Sequence, residues 1–402
     1  MTQQTFEKLA WYKNIAARDA FLQTSETGMC AFGNVKRVRQ FHETIPCYCP
    51  TPLVNLNRLA QKIRVAHIRI KDESRRCGLN AFKVLGASYG ICRAIADYTG
   101  MAAASDLKFN DFAPPEIQKR LNNVTVVTAT DGNHGRAVAW VAEQLGCHSK
   151  VFMPRGSSRV RLENIRKHGS DASIIEGNYD DAVQKAAEEA QKNGWLFVQD
   201  TAREGYEKIP TWIMQGYATM IDEACEQMGN RMPSHVFVQC GVGSFAASIQ
   251  AYLVQKFGDS RPVFTVVEPT RAGCFYESIR SEARLPVKIE GDMETIMAGL
   301  ACGEPSSLAW GILKDFADMF VMCPDDITKL GMRILGNPEP GDEKIISGES
   351  GAVTLGLAVE VMRNPEYADL KEALGINSTS DVLVFSTEGD PDPEMYRRID
   401  KG

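Results

Sequence analysis

The sequence predicts an α/β fold: mostly parallel sheets whose two faces are covered by helices. Three observations carry this. Short, continuously apolar, β-branched runs recur along the chain, helix-period segments lie between them, and Gly- or Asn-rich loops join strand ends to helix starts. A sheet with one wet face would show alternating strands; continuous ones are buried on both sides.

In chain order, VAHIRI (65–70) is the first such run. A polar turn leads to a helix over Phe82 to Tyr98, where Leu85, Ser88, Ile91, Cys92, Ile95 and Ala96 recur at three and four residues. VTVVT (124–128) is the next strand, followed by a loop and a helix from Ala137 to Leu145. KVFMP (150–154), SIIE (173–176), WLFVQ (195–199), HVFVQ (235–239), VFTVVE (263–268) and VLVFS (382–386) are further strands. Helices are expected around 157–168, 179–193, 210–228, 245–257, 325–335 and 351–363. DLKFNDFAPPEIQKR (106–120), with Pro114-Pro115, reads as an irregular insertion. No repeat, low-complexity tract or linker interrupts the pattern, which fits two domains sharing a cleft.

Composition narrows the function. At 402 residues two or three domains are expected, at roughly 150 residues each. The 45 Lys and Arg against 51 Asp and Glu argue against binding a nucleic acid through its phosphates. No stretch approaches the roughly 20 apolar residues that cross a bilayer. The N-terminal stretch carries Glu7, Lys8, Lys13, Arg18 and Asp19 without an apolar core, so no secretion signal is expected and the cytoplasm is the expected compartment. Eleven cysteines then read as mostly reduced thiols. None has zinc spacing: Cys47-Tyr48-Cys49 is too tight and the rest are scattered, so no metal is expected.

Ligands of open α/β sheets gather beyond the carboxyl ends of strands, and three loops there carry chemistry. Lys83 sits among Ala81, Phe82, Val84 and Leu85 rather than on a polar face. A lysine so placed loses ammonium solvation, its pKa falls, and it becomes a nucleophile for a carbonyl; an ordinary solvated lysine is the alternative. Ala129-Thr130-Asp131-Gly132-Asn133-His134-Gly135 links a strand to a helix. Its glycines and the helix N-terminus suit a carboxylate, and Asn133 can donate to a phenolate oxygen. Simple helix capping by Asp or Asn fits the same residues, and His134 reads equally as a packed histidine. Gln239-Cys240-Gly241-Val242-Gly243-Ser244-Phe245 again joins strand to helix, as a phosphate cradle or only a tight turn. It lacks the Gly-Lys-Ser/Thr of a nucleotide loop, and Ala246 stands at the last glycine position of a dinucleotide fingerprint.

The order of lysine, asparagine loop and glycine loop resembles the fold-type II pyridoxal-phosphate enzymes. NAFKVLGAS (80–88), TDGNHGRAVAW (130–140), QDTAREGYEKIPTWIMQGYATM (199–220), MAGLACGEP (297–305), ISGESGAV (346–353) and STEGD (386–390) look like the diaminopropionate ammonia-lyases among them, over about residues 30 to 398. The resemblance implies a homodimer that converts 2,3-diaminopropionate to pyruvate and two ammonia. It implies a large cofactor-binding domain (1–84 and 210–402), a small mobile domain (85–209) and an active site in the cleft between. Lys83 matches the Schiff-base lysine, Asn133 the residue facing the cofactor's 3′-oxygen, and Gly241, Val242, Gly243, Ser244 and Phe245 the phosphate cradle. Ser386 or Thr387 falls where a neutral group meets the pyridine nitrogen, which favours β-elimination over transamination.

Thr130, Asp131, Gly132, His134 and Asp200 are the expected substrate contacts. Similar dehydratases and cysteine synthases carry a small residue where Asp131 stands. A second base there suits removal of the α-proton of the D-enantiomer, with Lys83 serving the L-enantiomer. Asp200 fits either a partner of the substrate's β-ammonium or a proton donor to the leaving amine; an N-cap or salt bridge is the bland reading. The glycine loop is bulkier than the family's, and Arg203 replaces an expected aromatic, facing either solvent or the substrate carboxylate. A threonine or serine dehydratase is the alternative activity, and an inactive binding protein the alternative of another class. Cys92 and Cys225 read as core residues, Cys240 as oxidation-sensitive, and Cys274 with Cys302 as a possible loop staple.

Overall fold

The computed structural model describes residues 8–19, 25–30, 32–101, 106–390 and 392–401, so part of the charged N-terminal stretch, including Glu7, lies outside the described residues. The strands are β1 (Ala10–Lys13), β2 (Leu53–Asn55), β3 (His67–Asp72), β4 (Thr125–Ala129), β5 (His148–Met153), β6 (Asp171–Ile174), β7 (Leu196–Phe197), β8 (His235–Gln239), β9 (Val263–Pro269), β10 (Met319–Cys323) and β11 (Asp381–Ser386). Two sheets result, ordered β1-β10-β9-β8-β11-β3-β2 and β6-β5-β4-β7. The smaller sheet is parallel throughout. The larger is parallel except at its edges, where β1 and β2 run antiparallel to β10 and β3.

The α/β expectation holds for the interior strands, because they are buried on both faces. Every residue of β8 is buried, as are all but the first of β9 and of β11. The edge strands β1 and β2 escaped the sequence reading because they are short and half-exposed. β10, Met-Phe-Val-Met-Cys, lacks the β-branched signature but pairs between β1 and β9.

Segment 106–120 is not irregular as expected. It holds a 3-10 turn (Phe109–Phe112) and a helix (Pro115–Leu121). Pro114 precedes that helix and Pro115 occupies its first position, where a missing N–H costs nothing. The helix expected from Ala137 begins earlier, at Asn133, and so reaches into the site.

The turn that follows β3 is rigidly anchored. Lys71, Glu73, Arg76 and Glu223 are fully buried, with Lys71 2.6 Å from Glu223 and Arg76 2.8 Å from both glutamates. Two cations face two anions, so the burial leaves no uncompensated charge. Beside them Cys47 and Cys77 form a disulfide. Nine other cysteines are free, among them Cys274 and Cys302, so the staple considered from sequence is not present. Cys92 and Cys225 are core residues as expected.

Candidate active site

The carboxyl ends of β4, β7, β8 and β11 point their following loops into one cavity of about 480 Å³, closed on its remaining sides by segments 292–302 and 349–350. It lies between the two sheets, in the position expected of a cleft site.

Lys83 enters it from the start of the helix Val84–Thr99. The chain before it is fastened to the end of β11: Ala81 bridges Glu388, the Phe82 N–H donates to Thr387 O at 3.1 Å, and the Gly389 N–H donates to Asn80 O at 2.9 Å. An ammonium at a helix N-terminus opposes the dipole and needs a counter-charge. Asp200 provides it, 2.6 Å from Nζ, while the Phe82 and Tyr217 rings lie 5.2 and 5.6 Å away. Burial alone pushes the lysine's pKa down, which is the effect expected from sequence. The Asp200 carboxylate outweighs it and holds the pKa above the usual lysine range. Burial likewise pushes Asp200 up, but Lys83 and His134 pull it down to about 2. The correction is physical: apolar neighbours were legible in the sequence, and a carboxylate 117 positions away was not.

In the asparagine loop, the Thr130 hydroxyl accepts from the N–H groups of Gly132 (2.9 Å) and Gly135 (3.0 Å). The helix Asn133–Leu145 has Gly132 as its N-cap and no side-chain cap, so neither Asp131 nor Asn133 serves as one. Both side chains are released to other work. Asp131 Oδ2 lies 3.2 Å from Arg161 Nη1, and one Asn133 amide proton is donated to Glu388. His134 Nε2 faces Val198 O at 3.1 Å, so it carries the proton, and the buried Nδ1 has no partner. Burial lowers the pKa of this imidazole and keeps it neutral. Gly132 does not line the cavity; it seats the Arg161 stem instead.

The helix Ser244–Phe257 starts from Gly243 at φ 94°, where a Cβ would stand 2.3 Å from the Phe275 ring. That geometry needs glycine, and it turns Gly241 to Phe245 onto the cavity wall at a helix start, where the first-turn N–H groups have no partner within the helix. The Ser244 hydroxyl donates to Asp200 O, so it braces the lysine's partner as well as bordering the cradle. Of the Ser386 and Thr387 pair, Thr387 lines the cavity and Ser386 does not. Thr387 Oγ1 accepts from Gln239 Nε2 at 2.8 Å, which leaves its own proton free for an acceptor.

These residues fit pyridoxal phosphate. Lys83 presents its amino group to the cavity, an anion cradle lies at a helix start, and a neutral hydroxyl has a proton to offer a pyridine nitrogen. Among the described residues no cluster could hold a metal ion.

Several wall residues had no role assigned from sequence. Glu349 and Glu388 belong to the blocks ISGESGAV and STEGD, yet nothing local marked them as facing the same space. Burial, then repulsion from Glu388, pushes Glu349 up to about 7. Arg161 and Tyr179 come from helices beyond β5 and β6, and only the fold brings them in. Cys240 lines the cavity, but burial pushes its thiol well above the usual range, against the expected oxidation sensitivity. Arg203 is exposed and does not line the cavity, so its solvent-facing alternative holds.

The family described as pyridoxal-phosphate dependent enzyme matches residues 45–384. A diaminopropionate ammonia-lyase of Salmonella typhimurium is 48% identical over 372 residues, 91% of this chain and 92% of the relative. One of Escherichia coli is 45% identical over 386 residues, 95% of each chain. The crystal structure of Escherichia coli diaminopropionate ammonia lyase in complex with an aminoacrylate-PLP azomethine reaction intermediate superposes with a TM-score of 0.89 at 43% identity. It covers 98% of this chain and 97% of that one.

Proposed function

The chain belongs to the diaminopropionate ammonia-lyase family of fold-type II pyridoxal-phosphate-dependent enzymes, and we propose from that premise that it converts both enantiomers of 2,3-diaminopropionate to pyruvate and two ammonia. The observation that carries this substrate is the charge of the cavity wall. Seven carboxylates line it (Asp131, Asp200, Glu349 and Glu388 inside; Asp292, Glu294 and Asp392 toward the mouth), against Lys83, Arg155 and Arg161. An excess of negative charge favours a substrate with two ammonium groups over serine or threonine, whose hydroxyls gain nothing from it.

Pyridoxal phosphate, when bound, supplies a carbonyl for the substrate amine and an electron sink for the pair released at the α-carbon. Lys83 would hold the carbonyl end, the Gly241–Phe245 loop the phosphate, Asn133 the ring oxygen and Thr387 the pyridine nitrogen. Two groups that can take a proton share the cavity, each beside a counter-charge: Asp131 with Arg161, and Lys83 with Asp200. The lysine serves as a base only as the neutral amine and not as the ammonium it is in the cofactor-free protein. We assign Lys83 to the α-proton of the L-enantiomer and Asp131 to that of the D-enantiomer. Asp200, in contact with Lys83 and held as a carboxylate, pairs with the substrate's β-ammonium, which leaves as ammonia with the C–N bond pair and needs no added proton. Thr130 and His134 shape the loop that receives the substrate carboxylate.

The remaining expectations are carried in the same way. The division into 1–84 with 210–402 and 85–209 is supported by the smaller sheet, whose strands all fall within 125–197. Mobility of the smaller unit fits the polar ties near the mouth, an exposed ion pair, Lys288–Asp180 at 3.0 Å, and a part-buried hydrogen bond, Ser158–Asp392 at 3.0 Å, since exposed ion pairs break cheaply. Assembly as a homodimer fits exposed Ile15 and Leu285, brought together by Arg284 donating to Asn14 at 3.2 Å. A cytoplasmic location fits nine free cysteines of eleven. No helix among the described residues is long and apolar enough to cross a membrane.

The test is pyruvate release from each diaminopropionate enantiomer beside serine and threonine. Turnover of both enantiomers above either hydroxy amino acid is expected. Faster turnover of threonine or serine would replace this reading with the dehydratase one, and a protein that takes up no cofactor would sink both.

A further inference from the structure

Arg161 has no role of its own beyond being the counter-charge of Asp131, yet it is held in place from two sides. It stands on the helix Arg159–Arg166, with its side chain only 10% exposed and Nη1 3.2 Å from Asp131 Oδ2. Its aliphatic stem lies on Gly132: a Cβ built there would meet Arg161 Cδ at 3.0 Å and both Cβ and Cγ at 3.4 Å. At φ 155°, Gly132 holds a backbone conformation that L side chains rarely adopt. The loop carrying Asp131 is therefore shaped around the arginine.

The other groups facing Asp131 are Lys83, His134, Tyr179 and Cys302. Lys83 is engaged by Asp200, and burial keeps His134, Tyr179 and Cys302 uncharged. On its far side Arg161 faces Glu349, Glu388 and Asp392. Without the guanidinium, Asp131 would lose its direct ion-pair partner and the contact that orients its carboxylate.

We propose that Arg161 is a positioning residue for Asp131: it keeps that carboxylate aimed into the cavity, and thereby sets how fast the D-enantiomer is processed relative to the L-enantiomer. This rests on the assignment of Asp131 to the D-enantiomer.

The experiment compares wild type, Arg161→Gln, Arg161→Lys and Asp131→Asn as holoenzymes, measuring pyruvate release from each enantiomer across pH. Arg161→Gln is expected to lower kcat/KM for the D-enantiomer by about tenfold or more and to leave the L-enantiomer within about twofold. Arg161→Lys keeps the charge but not the planar fork, so it recovers only part of the D-rate. A readout independent of turnover is the carboxyl signal of Asp131 in carbon-13 aspartate-labelled holoenzyme, identified by its loss in Asp131→Asn. It should move and broaden in Arg161→Gln and return in part in Arg161→Lys. Equal losses for both enantiomers, with the Asp131 signal unmoved, would overturn the proposal. If Asp131→Asn is D-selective and Arg161→Gln is not, Arg161 alone is wrong. If Asp131→Asn lowers both enantiomers equally, the base assignment fails and the proposal falls with it.

Discussion

Asp131 and Asp200 follow neighbouring strands, β4 and β7, and line the same cavity, yet their surroundings differ. Asp200 is 5% exposed, paired with Lys83, and its main-chain oxygen is tied to Ser244 of the glycine loop. Asp131 is 27% exposed, and its one direct cationic partner among the described residues approaches from a helix behind it. The first carboxylate is closed into the fold and bound to the lysine. The second remains open to whatever enters. One residue type thus sits in two electrostatic settings, separated by burial and by which cation stands beside it.

Removing Lys83 breaks the closed half outright. Lys83→Ala is expected to cost both enantiomers more than about 10⁴-fold in kcat, since covalent attachment is lost together with a general base. The purified variant should also lack the yellow absorbance that borohydride abolishes in wild type. Asp131→Asn breaks only the open half: a loss of about 10²–10⁴-fold for the D-enantiomer, with L-turnover largely kept. Pyruvate release from the separate enantiomers checks this, and an equal loss would erase the distinction between the two carboxylates.

A pH series on cofactor-free protein sharpens the comparison. Because Asp200 is depressed in the folded state, its stabilisation is fully present above the unfolded value of about 3.9. It is lost as pH falls toward about 2. Lys83 is raised, so its share persists below the unfolded value of about 10.4 and disappears only as pH climbs past it. The Tm gap between wild type and Asp200→Asn should therefore be wide near neutrality and close below pH ~4. The smallest effect belongs to Glu349, whose pKa is raised to about 7. A raised acid disfavours folding increasingly as pH rises from its unfolded value to its folded one. Glu349→Gln should raise Tm at alkaline pH and leave it unchanged in acid, by thermal unfolding of the same preparation.

Much of this site was legible beforehand because loops at strand ends carry local signatures. Lys83 breaks helical amphipathicity, and the two glycine-containing loops each follow a strand and open a helix, so residue types and spacing marked them. Thr387 could not be told from Ser386, because adjacent positions of a strand end point to opposite sides and only pairing decides which faces in. Glu349, Glu388 and Arg161 gave no local sign at all; a glutamate or arginine on a helix or loop is ordinarily solvated.

The sequence by itself determined the α/β architecture, and it marked Lys83 and the loops around it, since hydrophobic period and turn chemistry act over a few residues. Only the tertiary structure decided the electrostatics: that Lys83 is held charged by Asp200, that Asp131 answers to Arg161, and that Glu349 and Glu388 crowd each other. Those are Coulombic and desolvation effects between residues about 30 to 120 positions apart, and they exist only once the chain has closed the distances between them.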